Sequence, residues 1–152
     1  MTLPVSEMQG SHWLLDMINE LEVGLLVLDR HYQVVIWNAF MENHSALTAN
    51  ATVGQSIFAL YPDLQDSWFA SKLETLFSLG TRGQSNWEQR PYLFPFPAAR
   101  PITSPLDHMR QNITLLPLRA ATGEVTHAGV VVYDVTELAA THYAMRTQPQ
   151  QA

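Results

Sequence analysis

The chain has 152 residues and a mass of 17.1 kDa, which allows one domain and excludes two of ordinary size. Hydrophobic residues make up 47% and charged residues 14%, a balance that argues against a disordered chain. The net charge of −6 disfavours nucleic-acid binding. The absence of cysteine excludes disulfides, thiolate metal sites and a cysteine–flavin photoadduct. Without a long apolar run or a signal peptide at the N-terminus, we expect a cytoplasmic protein.

The first predicted element is an amphipathic helix near the N-terminus. Residues 1–10 show no periodicity and are predicted to be flexible. From Ser11, a good N-cap residue, apolar side chains recur at helical spacing and predict a helix over 11–22. Its apolar face either packs on the domain's own core or forms a dimer, and the pattern leaves both open. That face consists of Trp13, Leu14, Met17, Ile18 and Leu21.

Two strands and a set of helices follow. Apolar and β-branched runs joined by a tight turn predict an antiparallel hairpin. Asn38 is the predicted cap of the next helix, and Gly80 ends the longest one. The predicted ranges are strands over 24–29 and 32–38, a helix over 39–47, a short helical piece over 56–60, and a helix over 67–79.

The second half is predicted to be mostly strands. Five of the nine prolines lie between positions 91 and 105 and indicate a surface loop over 95–108. The remaining ranges are strands over 85–94, 110–119 and 125–135, then Thr136 as the cap of a last helix over 137–146. This order predicts an α+β fold, a five-stranded antiparallel sheet with short helices on one face.

Several motifs in this order resemble a PAS domain. They are Gly24 to Asp29, Val34 to Ala39, Val53 to Phe58, and the closing Asp134-Val135-Thr136. The resemblance implies a flanking helix over 11–22, a PAS core over 23–136, and the start of an output helix and tail over 137–152. It also implies a sensory, non-catalytic domain of bacterial type.

A narrower set of motifs is similar to the sensory PAS domain of bacterial GGDEF-type diguanylate cyclases. Those enzymes make cyclic di-GMP in a separate domain, and the GGDEF segment is absent here. The resemblance implies a homodimer in signal transduction, joined to an effector domain in a longer protein. The motifs are Tyr61-Pro62-Asp63-Leu64, Leu79-Gly80, Trp87 to Phe94, Arg100 to Thr103, and the set Met109, Gln111, Asn112 and Thr114.

The resemblance also implies a small-ligand pocket between the sheet and the helices. The same apolar residues would equally fill a core. Arg90 or Arg100 could hold an anionic ligand, or pair with Glu88 or Asp107. The candidate pocket comprises Leu26, Val35, Trp37, Phe58, Phe69, Leu73, Phe77, Arg90, Leu115 and Val131.

In the family, Asp134 and Thr136 lie where the last strand becomes the output helix. They are candidates for signal relay, although a plain helix cap needs the same residues. The sequence names no cofactor: residues 67–79 contain no histidine for a haem, and a noncovalent flavin stays open. The pairs Asp63 with Asp66 and Asp107 with His108 are interpreted as solvated turns rather than metal ligands.

Two other functions compete with a ligand-binding sensor. One is a PAS dimerisation scaffold that binds no ligand. The other is a small cone-shaped α+β enzyme, whose acid and base would be found among Asp29, Asp134 and His127.

Overall fold

The computed structural model describes residues 5–98 and 106–147. Six α-helices, one 3-10 helix and five strands follow one another in these ranges. In chain order they are α1 (Val5–Glu20), β1 (Gly24–Asp29), β2 (Val34–Trp37), α2 (Ala39–Ser45), α3 (Ala49–Thr52), α4 (Ile57–Leu60), the 3-10 helix (Pro62–Leu64), α5 (Trp68–Leu79), β3 (Gly83–Ser85), β4 (Gln111–Arg119), β5 (Val125–Asp134) and α6 (Thr136–Thr147).

The strands form one antiparallel sheet in the order β2-β1-β5-β4-β3. The last strand, β5, lies at the centre, where Val130 pairs with Leu26 on one side and Leu115 on the other. Because side chains alternate along a strand, these residues share the face that the helices cover. The predicted α+β fold with a five-stranded antiparallel sheet is confirmed.

At both edges of the sheet, few backbone groups are free to pair with a further strand. Along β2, Val34 N–H donates to Gln55 O at 2.9 Å, and Gly54 N–H donates to Val34 O at 2.8 Å. Ile57 N–H donates to Tyr32 O at 2.9 Å just before that strand. The segment after α3 therefore occupies hydrogen-bonding groups at the edge of β2. At the other edge, β3 is only 3 residues long.

The core lies between the sheet and α5. Burying a large apolar side chain contributes about 1.5–3 kcal/mol, so such a core accounts for much of the fold's stability. Its members come from the sheet (Leu26, Leu28, Ile113, Leu115, Val130 and Val132), from α5 (Phe69, Leu73 and Leu76) and from the connection between β3 and β4 (Phe94, Phe96 and Met109).

The N-terminal helix differs from the prediction. It begins at Val5 and ends at Glu20, so Ser11 lies inside the helix and is not its N-cap. The prediction placed the start where the apolar periodicity begins, but a helix can extend beyond the residues that carry its periodicity. Residues 1–4 and 148–152 lie outside the described residues.

The predicted strand over 85–94 is wrong, because β3 ends at Ser85. Asn86 Oδ1 accepts from Gln89 N–H at 2.9 Å, which turns the chain away from the sheet. Beyond the turn, the buried Gln111 side chain makes the backbone hydrogen bonds that a neighbouring strand would otherwise make. Its Oε1 accepts from the N–H groups of Leu93 and Phe94, at 2.9 and 3.1 Å, and its Nε2 donates to Phe94 O at 2.9 Å.

The predicted loop over 95–108 is partly paired with itself. Met109 N–H donates to Phe96 O at 2.8 Å, and Ala98 N–H donates to Asp107 O at 3.2 Å. Residues 99–105, including Arg100 and its predicted anion contact, lie outside the described residues.

Candidate functional site

Half of the predicted pocket residues lie in the closely packed core. Leu26, Trp37, Phe69, Leu73 and Leu115 are at most 3% exposed. Two aromatic residues of the β3–β4 connection, Phe94 and Phe96, fill the space among them. The rings of Trp37 and Phe69 lie 6.5 and 6.3 Å from that of Phe94, which stacks on Phe96 at 5.5 Å. Side chains therefore occupy the space between sheet and α5.

A neighbouring phenol reflects the same packing. Tyr61 lies edge-on to Phe94 with ring centroids 5.2 Å apart. Burial raises the pKa of Tyr61 above its ordinary value of 10.0, because the phenolate would lose its hydration.

Three predicted pocket residues lie elsewhere, which corrects their assignment. Val35 is the extra residue of a bulge in β2 and is 40% exposed. Val131 is half-buried on the opposite face of the sheet, because it alternates with Val130 and Val132. Arg90 is exposed, with its guanidinium 4.9 Å from the Trp68 ring centroid and 3.5 Å from Ser85 Oγ. Neither of these Arg90 contacts is with Glu88 or Asp107.

The last two pocket residues, Phe58 and Phe77, are half-buried at the rim of the core. Both contact Tyr32, with ring centroids 5.3 and 6.0 Å from it. These three rings form an aromatic cluster between the β1–β2 turn and α5.

Asn38 joins the N-terminal helix to the sheet. It is 1% exposed, and its Nδ2 donates to Ile18 O at 3.0 Å and to Val23 O at 2.9 Å. Its Oδ1 accepts from Leu25 N–H at 3.0 Å and from Met41 N–H at 3.3 Å. The sequence predicts only the helix cap. We call this arrangement the N-terminal joint, since one amide connects α1, β1 and α2.

The last helix, α6, which the sequence predicts as the output helix, has a different attachment. It begins at Thr136, one residue earlier than predicted, so Thr136 is not its N-cap. Asp134 Oδ1 accepts from the Thr136 N–H at 3.0 Å and also from its hydroxyl. Thr136 Oγ1 accepts from Arg110 N–H at 3.0 Å, and Val135 N–H donates to Arg110 O at 2.8 Å. This C-terminal joint connects the end of β5, the start of β4 and α6.

A surface cleft of about 1000 Å³ lies between the two joints. It is lined by the end of α1, by α2 and by the start of α6. Its wall includes Leu21, Phe40, His44, Asp134 and Glu137. A shift of either flanking helix would change its shape.

The predicted dimer helix exposes its apolar face. Trp13, Leu14 and Met17 are 62–64% exposed and Leu21 is 46% exposed, whereas Ile18 is half-buried. On the uncovered face of the sheet, apolar side chains form a second such surface. We call it the outer sheet face; it includes Leu25, Val27, Ile36, Leu116, Leu118 and Val131.

The candidate acid and base residues do not come together as one set. Asp29 and His127 are register partners across β1 and β5, while Asp134 lies at the opposite end of β5. The Asp29 carboxylate accepts from the N–H groups of His31 and Gln33, at 2.8 and 3.0 Å. His127 Nδ1 lies 2.9 Å from Thr126 Oγ1. Within residues 5–98 and 106–147, no three His, Asp or Glu residues are grouped to hold a metal ion.

The comparisons identify the family. The family model for the PAS fold matches residues 18–140 of the sequence, so the chain belongs to this family. Members are generally non-catalytic sensory modules of signalling proteins. The resemblance inferred from the sequence is thereby confirmed at the level of the family. No curated protein is similar enough in sequence to count as a match.

Three solved structures show the relationship. A sensory box sensor histidine kinase from Vibrio cholerae is 26% identical, with a TM-score of 0.60 over 86% of this chain and 96% of that chain. The PAS domain of Bordetella pertussis BvgS is 14% identical, with a TM-score of 0.62 over 91% and 97%. Histidine kinase ThkA in complex with the response regulator TrrA is 20% identical, with a TM-score of 0.62 over 87% of this chain and 34% of that chain.

No helix in the part of the chain that the structure describes is both long and apolar enough to cross a bilayer.

Proposed function

We propose that this chain is a cytoplasmic sensory module that forms a homodimer and relays a signal through α6 to an effector domain. The observation that carries the proposal is the contrast on α1. Its C-terminal end is fixed to the sheet by the buried Asn38, while Trp13, Leu14 and Met17 are more than 60% exposed. A helix held rigidly with its apolar face in water is suited to pairing with a second copy.

The outer sheet face adds to this surface. The Leu25–Val131 pair and the Val27–Ile36 pair place apolar side chains on adjacent strands of that face. If two protomers met through both surfaces, the position of one α6 helix relative to the other would be fixed. Each α6 starts at a joint bonded to β4 and β5, so rearrangement of the sheet would alter its direction.

Two effectors are consistent with this role. The motifs shared with GGDEF-associated sensors support a diguanylate cyclase that makes cyclic di-GMP. The likeness to PAS domains of histidine kinases supports a kinase as the second candidate. Cyclic di-GMP synthesis by the intact signalling protein that contains this domain would distinguish them.

The packed core favours the scaffold alternative over a large ligand inside the domain. Phe69, Phe94 and Phe96 occupy the centre of the space where the ligand was predicted. A ligand there would have to displace aromatic rings. We therefore propose that a change in dimer packing is the principal input to the module, and that binding of an internal ligand is the alternative.

Native mass spectrometry of the purified chain tests both points. We expect a dimer at twice the chain mass, and we expect Leu14→Glu with Met17→Glu to be monomeric, because the charges would be buried in the interface. Leu79→Glu is the matched control: Leu79 is 72% exposed, at the end of α5. A double variant that stays dimeric contradicts the α1 interface. Extra mass lost on denaturation would replace the scaffold with a ligand-binding sensor.

A further inference from the structure

A second cleft opens on the surface between the β1–β2 turn and α5. Its volume is about 480 Å³, within the range of small-molecule sites. Tyr32 and Phe58 form one wall, and residues of the α5 face form the other. Ser67, Ala70 and Ser71 lie on that face at helical spacing, and their small side chains leave room above the rings.

The aromatic wall consists of two rings in different planes. The centroids of Tyr32 and Phe58 are 5.3 Å apart, and the planes meet at 73°. Both residues are half-buried, so the rings are fixed against the core on one side and reach the cleft on the other. Aromatic rings attract cations through their negative faces, and arranged at an angle they surround a rounded ion better than one flat ring does.

The same cluster already binds a cation at its other end. The Arg30 guanidinium carbon lies 5.9 Å from the centroid of the Phe77 ring, which contacts Tyr32. Arg30 also donates to Val125 O at 2.9 Å and lies 3.8 Å from a Glu124 oxygen.

The position of Tyr32 is imposed by an unusual backbone. Its φ is 63°, in the left-handed region that costs a non-glycine residue roughly 1–2 kcal/mol. Its N–H donates to Asp29 O at 3.0 Å and its carbonyl accepts from Ile57 N–H at 2.9 Å, which hold that conformation. A glycine would fit this turn without strain, so Tyr32 adopts the conformation at a cost, and its ring lines the cleft.

The rim carries only negative formal charge. Asp66 and Glu74 line the cleft and are exposed, and none of the lining residues is Lys, Arg or His. Opposite walls of rings and carboxylates are complementary to a compact positive charge with an apolar surface.

We propose that this cleft binds a small organic cation of the alkylammonium class, with the charge between the Tyr32–Phe58 rings and the carboxylates of Asp66 and Glu74. The site lies apart from α1 and α6, so it does not depend on the proposed dimer or relay.

Amide NMR spectra of the intact chain titrated with choline test the proposal. We expect saturable shifts at Tyr32, Phe58, Ala70 and Ser71. The uncharged analogue 3,3-dimethyl-1-butanol has the same shape and should bind at least about 3-fold more weakly, because it lacks the attraction to the rings and carboxylates. Asp66→Asn with Glu74→Gln should weaken choline binding about 5-fold. Phe58→Leu should weaken choline more than the alcohol.

Asp63→Asn is the matched control, since Asp63 lies on the neighbouring 3-10 helix and does not line the cleft. Unchanged choline affinity in this variant, with the loss in the double variant, supports the site. Choline shifts that do not saturate, that map to other elements, or that the alcohol reproduces at equal affinity would overturn it.

Discussion

The N-terminal and C-terminal joints attach their helices to the same end of the sheet by different chemistry. At the first, one neutral amide, 1% exposed, makes four hydrogen bonds to three elements. At the second, the exposed Asp134 carboxylate accepts a hydrogen bond from Thr136 N–H. The half-buried Thr136 hydroxyl in turn accepts one from Arg110 N–H. A buried amide without partners is costly, whereas exposed groups exchange their partners for water.

The comparison indicates which flanking helix can move. Detaching α1 would remove Ile18 O as an acceptor and leave one N–H of the buried Asn38 amide to be satisfied elsewhere. Detaching α6 would expose groups that water can reach. We therefore expect α1 to act as a fixed platform and α6 as the releasable element, and three substitutions test this difference.

The largest effect is expected at Asn38. Asn38→Ala removes the partners of two carbonyls and two N–H groups, so the free energy of unfolding should fall by about 2–4 kcal/mol. Urea denaturation followed by circular dichroism measures it. Asn43→Ala, at an exposed position on the same helix, should change stability by less than about 0.5 kcal/mol. Equal effects at both positions would remove the distinction between the joints.

A smaller loss is expected at Gly24, the first residue of β1 beside the N-terminal joint. A Cβ there would lie 2.6 Å from Met41 Sδ, 2.9 Å from Val132 Cβ and 3.0 Å from Phe40 Cδ1. Gly24→Ala should therefore cost about 1–3 kcal/mol in the same urea experiment.

Gly129 in β5 provides the comparison. Its nearest neighbour would be Leu118 Cδ1 at 3.5 Å, an ordinary contact, so Gly129→Ala should be neutral or stabilising by up to about 1 kcal/mol. If Gly24→Ala is equally tolerated, the packing between β1 and α2 is looser than described.

The smallest effect on stability is expected at Thr136. Thr136→Val keeps the shape but loses the acceptor for Arg110 N–H, at about 1 kcal/mol. Hydrogen exchange should show faster exchange in α6 while β1 and β5 stay protected. Thr141→Val, on an exposed turn of α6, should leave exchange unchanged. Uniform acceleration across the sheet would mean that α6 is part of the cooperative core.

The sequence predicts the sheet because its signals there are local. Short apolar runs over β1, β4 and β5, rich in β-branched residues in β5, and the turn at Gly123 define strands without knowledge of their partners. The sequence also predicts Asn38 as a cap, because an asparagine between a strand and a helix is a local signal.

What the sequence could not predict depends on distant partners. The segment after Ser85 looks extended, but Asn86 turns it away and the Gln111 side chain, 18 residues beyond Leu93, satisfies its backbone. The pocket prediction failed for Val35 because a bulge changes which face a residue occupies. The Arg90 guanidinium packs on the Trp68 indole, and no regular spacing in the sequence relates these two positions.

The occupied border of β2 has a consequence for how copies of this protein meet. Val34 already gives its N–H to Gln55 and its carbonyl to Gly54, and β3 offers only three residues on the far side. Growth of the sheet by addition of a strand from another molecule, the route to fibrils, has little backbone to use. We therefore expect contacts between copies to be made mainly by side chains, which single substitutions can alter.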